Sequence, residues 1–197
     1  VRYADDLMIF TKSKRTAERQ CKRVSKHIEG KLKLRINKEK TKISKLNQVK
    51  YLGYAFYRAK GKCRFRVHPK STNKLKDKLR DVTSRSNGMS IEGRKTKLNQ
   101  ILRGWVQYFK MADMKGTMKS IDEWLRRRIR MITWKRWKKV RTRFQNLQKL
   151  GVAKQKAWEW ANTRKGYWHV ANSWILATTL TIARFEKQGY LSFLKYY

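Results

Sequence analysis

Two adjacent acids near the start of the chain are the residues best suited to carry out chemistry. Asp5 and Asp6 separate two short apolar runs, residues 1–4 and 7–10, and this pattern predicts a β-hairpin with the acids at its tip. Because adjacent strand residues point to opposite faces, only a tight turn brings both carboxylates to one centre. Such a pair could hold divalent cations, which prefer hard oxygen ligands, and two cations could support an in-line phosphoryl transfer. Aspartate is also common in solvated β-turns, so the pair alone leaves both interpretations open.

The overall composition indicates the kind of ligand. The 197 residues include 52 Lys+Arg against 13 Asp+Glu, which gives a formal net charge of +39. With 40% hydrophobic and 12% aromatic residues, the chain is too apolar for a disordered basic tail and can bury a core. A folded body with this charge needs a polyanion to neutralise it, so nucleic acid is the expected ligand. A ribosomal or histone-like protein would fit the same numbers, so charge alone predicts no reaction.

Several classes of protein are excluded by the sequence. No stretch approaches the roughly 20 apolar residues of a membrane span, and the first residues do not have the pattern of a signal peptide. Cys21 and Cys63 are too few for a disulfide framework or a four-cysteine zinc site, and we interpret both as reduced packing residues. This predicts a reducing compartment, the bacterial cytoplasm or else the interior of an organelle, and no membrane partner.

The hydrophobic pattern predicts an α/β part followed by an all-α part, with the change at Pro69. A helical period begins at Ser13 and continues to Leu32. Gly61 is expected in a turn before the last of the strands that follow this helix. The strand candidates are residues 33–36, 42–46, 49–57 and 63–67.

Three long helices with short connections are predicted after Pro69, which favours an antiparallel bundle. Ser71, Ser90 and Thr117 are their expected N-caps. Their apolar faces are expected to be Leu75, Leu79 and Val82 in the first, Leu98, Leu102, Trp105 and Phe109 in the second, and Met118, Ile121, Leu125, Ile129 and Ile132 in the third. Shorter helices are predicted near residues 141–149, 153–163 and 173–187, with breaks at Gly151 and Gly166.

Three motifs in a fixed order resemble the palm of reverse transcriptases. The sequence Tyr3-Ala4-Asp5-Asp6 is similar to the YxDD catalytic hairpin, in the YADD version common in group II intron maturases. Residues 32–41 resemble the palm segment that ends in a Lys-Thr pair. The sequence Tyr51-Leu52-Gly53-Tyr54, with Phe56, resembles the hairpin called the primer grip.

The second half of the chain resembles the maturase-specific domain of group II intron proteins, also called X or thumb. The similarity lies in residues 98–109 and 124–130, and residues 164–168 resemble a feature of the bacterial IIC class. The resemblance implies an α+β fold in which the C-terminal part of a palm, an antiparallel sheet plus a helix, precedes an all-α thumb bundle. The implied domains are the distal palm (1–68), the thumb (69–138) and a basic, DNA-binding-like helical region (139–197).

The resemblance also implies roles for individual residues. Asp5 and Asp6 would be the catalytic carboxylates that bind two Mg²⁺ ions together with an aspartate from upstream. Nothing before Val1 supplies that aspartate or the nucleotide-binding fingers, so this chain alone is expected not to polymerise DNA efficiently. The positions expected to contact nucleotide or primer are Tyr3, Ala4, Lys40, Leu52, Gly53 and Tyr54. For two of them an alternative remains: Lys40 could equally be a solvated loop lysine, and Leu52 could equally be a core residue.

A second candidate site is the basic run 126–143, which contains ten Lys and Arg residues and no acid. Like charges along a helix destabilise it slightly, and a bound phosphate backbone would remove that cost, although a solvated face is the alternative. Trp134 and Trp137 lie within the run and Trp124 lies just before it. All three could stack bases, but their helical spacing favours the core. The residues predicted to contact RNA are Arg103, Arg126, Arg127, Arg128, Arg130, Lys135, Arg136, Lys138, Lys139, Arg141 and Arg143.

The resemblance implies the function of a group II intron reverse transcriptase/maturase. Its expected activities are RNA-directed DNA synthesis by two-metal nucleotidyl transfer, and binding of intron RNA to assist splicing and retrohoming. The expected partners are intron RNA, an RNA template/DNA primer duplex, dNTPs, target DNA and the upstream fingers and palm portion. The alternative is a non-catalytic RNA-binding splicing factor whose palm is only a scaffold.

Overall fold

The chain folds into two units, Val1–Val49 and Lys50–Tyr197, in a computed structural model that describes all of residues 1–197. Two small antiparallel sheets occur together with ten helices, so the predicted α+β class is confirmed.

The first unit begins with the predicted hairpin. Strands β1 (Arg2–Tyr3) and β2 (Asp6–Leu7) pair antiparallel, with Arg2 opposite Leu7 and Tyr3 opposite Asp6. Helix α1 (Lys14–Gly30) follows, and the Ser13 side chain accepts a hydrogen bond from the Thr16 amide, which confirms this helix and its N-terminus. The apolar stripe of α1 is only half-buried, and no residue of this unit is fully buried.

Two strands predicted in the first unit are wrong. Residues 33–36 and 42–46 are irregular and lead into a short 3₁₀ turn at Leu46–Gln48. Their alternating pattern has no partner strand, and Asn37 organises the backbone locally instead. The Asn37 side-chain oxygen accepts from the Lys40 amide at 3.0 Å, and its carbonyl accepts from the Thr41 amide at 3.0 Å.

The second unit begins with a three-stranded sheet of order β3-β4-β5, made of β3 (Lys50–Tyr51), β4 (Tyr54–Ala59) and β5 (Lys62–Val67). The strand predicted over 49–57 is therefore two strands, because the chain turns at Leu52-Gly53. The turn predicted at Gly61 is confirmed. The two turns are Leu52-Gly53 and Lys60-Gly61, and all four residues have positive φ. Two-residue hairpin turns need this conformation to match the twist of the strands that they join.

The packing role assigned to the cysteines is wrong for Cys63. Its side chain is exposed on the edge strand β5, whereas Cys21 on α1 is half-buried, and both thiols are free. A residue that belongs to the apolar pattern of a strand is buried only when another element covers that face of the sheet. No element covers Cys63.

The three long helices are confirmed as α2 (Pro69–Val82), α3 (Ile91–Phe109) and α4 (Lys115–Arg136). Their predicted apolar faces are buried except for Trp105, which is half-buried. The Ser90 side chain caps α3 as expected, but Ser71 and Thr117 are not N-caps. Helix α2 begins three residues earlier, because His68 accepts from the Lys70 amide and Pro69 fits the first helical position. Helix α4 begins after Met114 with no side-chain cap.

Six shorter helices complete the second unit: α5 (Val140–Lys149), α6 (Lys154–Ala161), α7 (Tyr167–Asn172), α8 (Trp174–Thr179), α9 (Ile182–Lys187) and α10 (Phe193–Tyr196). The helices predicted near 141–149 and 153–163 are confirmed as α5 and α6. The helix predicted over 173–187 is two helices, because Leu180 leaves the helical conformation at ψ 70°. None of the ten helices is both long and apolar enough to cross a bilayer.

The last residues are held against α4 by a buried carboxylate. Asp122, 5% exposed, accepts hydrogen bonds from the Ser192 hydroxyl at 2.6 Å and from the amides of Phe193 and Leu194 at 2.8 and 2.9 Å. The Asn99 side chain adds two bonds, donating to the Gly189 carbonyl and accepting from the Leu191 amide. The Phe193 ring is thereby fully enclosed in the core.

Candidate nucleic-acid interface

The acid pair lies at a strained turn. Ala4 and Asp5 form the turn between β1 and β2, and Asp6 is the first residue of β2. Ala4 has a φ of 46°, in the left-handed region, and its carbonyl accepts from Arg2 Nε at 3.1 Å. A non-glycine residue pays about 1–3 kcal/mol in such a conformation, and strain of this kind concentrates at functional sites. Tyr3, Ala4, Asp5 and Asp6 are all exposed.

The two carboxylates have the chemistry that a divalent cation requires. Neither Asp5 nor Asp6 forms a salt bridge, although the chain has 52 basic residues. Exposed, unpaired carboxylate oxygens are the ligands that Mg²⁺ prefers. No group of three or more His, Cys, Asp or Glu side chains is assembled around them, so this chain offers two carboxylates to such a site. Lys40 is exposed and makes no side-chain contact with them.

The hairpin that resembles the primer grip is held by hydrogen bonds from two helices. The Gly53 carbonyl accepts from the His68 amide and from the Ser71 hydroxyl, each at 3.0 Å. The Tyr108 hydroxyl, on α3, donates to the Leu52 carbonyl at 3.0 Å, and the Tyr54 hydroxyl donates back to the Tyr108 carbonyl at 2.5 Å. The turn is therefore fixed at the junction of α2 and α3.

Sequence reasoning missed Ser71 and Tyr108 as supports of this turn. Tyr108 lies inside the segment 98–109 that carries the thumb resemblance, so that segment held a signal for it. Ser71 was assigned to a helix cap instead, because its true partner, Gly53, lies 18 residues away in the chain.

Tyr54 and His68 are perturbed by this packing. The Tyr54 ring contacts the rings of Phe65, Tyr108 and Phe109, and burial, followed by the neighbouring Tyr108, raises the pKa of its hydroxyl. Burial, followed by the nearby cations Lys50, Lys70 and Arg66, lowers the pKa of His68. A neutral imidazole is what the α2 cap requires, since His68 Nδ1 must accept from the Lys70 amide at 3.1 Å.

Replacing Gly53 with alanine is expected to lower the free energy of unfolding by about 2–3 kcal/mol. The residue has a φ of 83°, and an added Cβ would lie 3.0 Å from the Phe109 ring and 3.1 Å from Ser71 Oγ. Urea denaturation measures the change. Gly61→Ala is the matched control, because Gly61 has a φ of 75° in the other hairpin turn but open space around it. Equal losses for the two variants would contradict the close approach of Phe109 as the cause.

The residues predicted to contact RNA divide into outward and inward groups. The outward group, defined as the exposed members, is Arg103, Arg136, Lys138, Lys139 and Arg141. The inward group is half-buried and consists of Arg126, Arg127, Arg128, Arg130, Lys135 and Arg143. The structure thus brings the exposed side chains of Arg136, Lys138, Lys139 and Arg141 together where α4 ends and α5 begins, with Arg103 apart on α3.

Three arginines of the inward group donate to carbonyls where other helices end. Arg128 donates to the hydroxyl and the carbonyl of Thr83, just after α2, at 2.5 and 3.2 Å. Arg130 donates twice to the Leu180 carbonyl, just after α8, at 2.9 and 3.1 Å. Burial lowers the pKa of both guanidinium groups. The nearby cation Arg80 adds a smaller lowering of the pKa of Arg128, and Arg126 does the same for Arg130.

Arg143 completes this set at a third junction. It donates to the Trp137 carbonyl, just after α4, at 2.9 Å and lies over the Trp134 ring, 4.8 Å from its centroid. The C-terminal end of a helix carries unpaired carbonyls and a partial negative charge, so a cation there stabilises the helix. These side chains are therefore occupied in joining helices.

Lys135 and Arg127, two further members of the inward group, also contact the protein. Lys135 donates to the Arg85 carbonyl at 2.7 Å, and Arg127 donates to the Trp168 carbonyl while lying 3.8 Å over the Trp168 ring. Trp134 is 1% exposed, which confirms the core interpretation for it. Trp124 and Trp137 are half-buried and pack against the core.

Comparison with protein families gave two matches, in the same order as the motifs. Residues 1–56 match the family model "Reverse transcriptase (RNA-dependent DNA polymerase)", and residues 72–151 match "Group II intron, maturase-specific domain". No curated protein matched the chain. The first match contains the hairpin with Asp5 and Asp6 together with Gly53 and Tyr54, and the second contains α3, α4, α5 and nearly all of α2.

Proposed function

Because the chain belongs to the group II intron reverse transcriptase/maturase family, we propose that it takes part in RNA-directed DNA synthesis and binds intron RNA to assist splicing and retrohoming. The observation that carries the proposal is the occurrence of both parts in one chain. Asp5 and Asp6, which form no salt bridge, lie in the segment that matches reverse transcriptases. The outward basic group lies in the segment that matches the maturase-specific domain.

For DNA synthesis, Asp5 and Asp6 would hold Mg²⁺ together with an aspartate that the family resemblance places upstream. Bound in pairs, such ions stabilise the charge on the attacking and departing oxygens of an in-line displacement. Tyr3 lies opposite Asp6 on the neighbouring strand and is exposed, so it can contact the end of the primer. The small Ala4 leaves room for the substrate beside the turn, and Lys40 is available for the phosphates of a dNTP.

The Leu52–Tyr54 turn would contact the primer backbone of an RNA template/DNA primer duplex. Its carbonyls are already bonded to Ser71, His68 and Tyr108, so the turn is rigid before any substrate binds. Rigid support of this kind reduces the cost of ordering a contact on binding. Gly53 permits the close packing that creates this support.

For maturation, the outward residues Arg136, Lys138, Lys139 and Arg141 would contact phosphates of intron RNA, and Arg103 would add a separate contact. These side chains form no salt bridge within the protein, so they are available to a polyanion. Target DNA would be recognised through the same electrostatics by the basic residues of 139–197. This function needs no carboxylate, so it would persist in a protein that had lost polymerase activity.

Neutralising Arg136, Lys138, Lys139 and Arg141 together with glutamine is expected to lower the slope of log K against log salt for intron RNA. Each lost phosphate contact reduces the slope by about 0.7–0.9, so the total reduction should approach roughly 3. A filter-binding series from low to high salt measures it. The matched control neutralises Arg19, Lys22, Arg23 and Lys26, four exposed cations of α1. An equal reduction in the control would contradict a localised RNA surface.

A non-catalytic splicing factor is the second candidate function, and the metal chemistry of the hairpin separates the two. If the palm is only a scaffold, substitution of Asp5 should change neither primer extension nor splicing assistance. If both proposed activities are present, that substitution should abolish extension and leave RNA binding intact. The bacterial cytoplasm, or an organelle, is the proposed site of both activities.

A further inference from the structure

An open cleft lies between α5 and α6, apart from the outward basic residues Arg136, Lys138, Lys139 and Arg141. It measures about 400 Å³ and is lined by Phe144, Lys154, Gln155 and Trp158, with mostly apolar atoms at its surface. Clefts of roughly 300–1,000 Å³ are the size that small ring systems occupy in proteins. Three of its four lining residues follow Gly151, where the match to the maturase-specific domain ends.

Trp158 gives this cleft an exposed aromatic surface. Its side chain is 57% exposed, and its ring meets the Phe144 ring edge to face, with centroids 5.7 Å apart and planes at 83°. In a perpendicular pair, each ring keeps at least one flat face uncovered by its partner. An open aromatic face of this kind can stack on the flat ring of a ligand.

The supporting structure beneath the cleft is rigid. Leu147 of α5 and Ala157 and Ala161 of α6 are completely buried, so the two helices are packed against the core on the side away from the cleft. Aromatic rings held on packed helices lose little entropy when a ligand stacks on them.

The charges around the cleft are complementary to nucleic acid. The two helices carry five basic residues and one acid, and Lys154 and Lys156 are exposed and form no salt bridge. Lysine is depleted at the centres of protein–protein interfaces, so a lysine in the lining argues against a protein partner. The exposed Gln155 amide supplies a donor and an acceptor beside the ring, as base edges require.

We infer that the Phe144–Trp158 cleft binds one unpaired base of a bound RNA, which stacks on Trp158 while Lys154 contacts the adjoining phosphate. The inference rests on the proposed RNA-binding function, and it adds recognition of unpaired RNA to the sequence-independent phosphate contacts. An aromatic platform is tolerant of base identity, because every base has a flat π-face. The cleft would therefore select bulges and loops over continuous duplex.

The test compares two RNA probes on the full chain, a blunt duplex and the same duplex with a three-nucleotide bulge. Trp158→Ala is expected to weaken binding of the bulged RNA by roughly 5- to 100-fold and to leave blunt-duplex binding unchanged. The slope of log K against log salt should change by no more than about 0.7, the contribution of the single Lys154 phosphate contact. Trp158→Phe should retain most of the affinity, and Trp158→Leu, which keeps apolar bulk over Phe144, should behave like alanine.

Trp174→Ala is the matched control, because Trp174 is also 57% exposed and also meets another ring, that of Trp160, edge to face. Equal effects of the two alanine variants on the bulged RNA would overturn the stacking site while leaving RNA binding established. Failure of the unmodified chain to bind either probe would overturn the proposed function as well. A change in sedimentation mass with Trp158→Ala, without a change in RNA affinity, would instead identify the cleft as a contact between two copies.

Discussion

Replacing Asp5 with asparagine is expected to lower the rate of primer extension by about a thousandfold or more in a preparation that extends primers. Asparagine keeps the size of the side chain and one oxygen, but it removes the negative charge that a divalent cation needs. Asp5 lies exposed in its turn and pairs with no cation of the protein, so its loss leaves no group unpaired in the fold. Single-turnover extension on an RNA template/DNA primer duplex measures the rate.

Asp81→Asn is the control for this experiment. Asp81 is an exposed carboxylate without a salt bridge, so the variant makes the same change in net charge outside the hairpin. RNA affinity should be unchanged in both variants. Equal extension rates for the two would refute the catalytic assignment of Asp5 and favour the scaffold alternative. A rate for Asp5→Asn that recovers in part at high Mg²⁺ would support a role in holding the ion.

Replacing Asp122 with alanine is expected to lower the free energy of unfolding by about 3–5 kcal/mol. The carboxylate is 5% exposed and accepts three hydrogen bonds, two of them from the backbone amides of Phe193 and Leu194. Hydrogen bonds to a charged acceptor contribute more than neutral ones, and the buried amide of Phe193 and the part-buried amide of Leu194 would be left without an acceptor. Urea denaturation followed by circular dichroism measures the change.

Asp113→Ala is the control that tests whether the loss of stability comes from the burial of the carboxylate or only from the hydrogen bonds that it accepts. The Asp113 carboxylate accepts from the Tyr57 hydroxyl at 2.7 Å and from Arg64 at 2.8 Å, but its side chain is 39% exposed. Exposed pairs of this kind contribute about 0–1 kcal/mol, because water can replace either partner. A loss for Asp113→Ala as large as that for Asp122→Ala would show that burial of the carboxylate is not what makes Asp122 important.

The elements that the sequence predicts well are those whose cause is local. Helices α1 and α3 have a long apolar period and a serine N-cap, and both were predicted with their N-termini. The hairpin around Asp5 follows from a short apolar repeat and a turn. The strand predicted at 33–36 failed because a strand depends on a neighbour that no local pattern can supply, and Asn37 offered the backbone a closer partner.

The parts that the sequence does not predict depend on contacts between distant residues. Arg128 and Arg130 belong to a basic run that looks uniform, yet their acceptors lie 45 and 50 residues away, at Thr83 and Leu180. Only the fold decides that these side chains turn inward while Lys138 and Arg141 stay exposed. The acid pair of the hairpin was recognised because its motif is contiguous. The exposure of Trp158 is not predicted, because the sequence of a short helix such as α6 does not reveal which face of the helix is in contact with water.

The arginines that join the helix ends have a consequence for behaviour in acid. Proteins that hold their helices together with Asp and Glu lose those contacts as the carboxylates take up protons. At the junctions made by Arg128, Arg130 and Arg143 the acceptors are carbonyl oxygens or a hydroxyl, which do not titrate, and a guanidinium stays protonated. The three junctions therefore do not make the free energy of unfolding depend on pH in acidic solution. These three junctions should therefore persist in acidic solution at pH values where junctions made of ion pairs come apart, whereas the Asp122 contacts to Phe193 and Leu194 depend on a carboxylate.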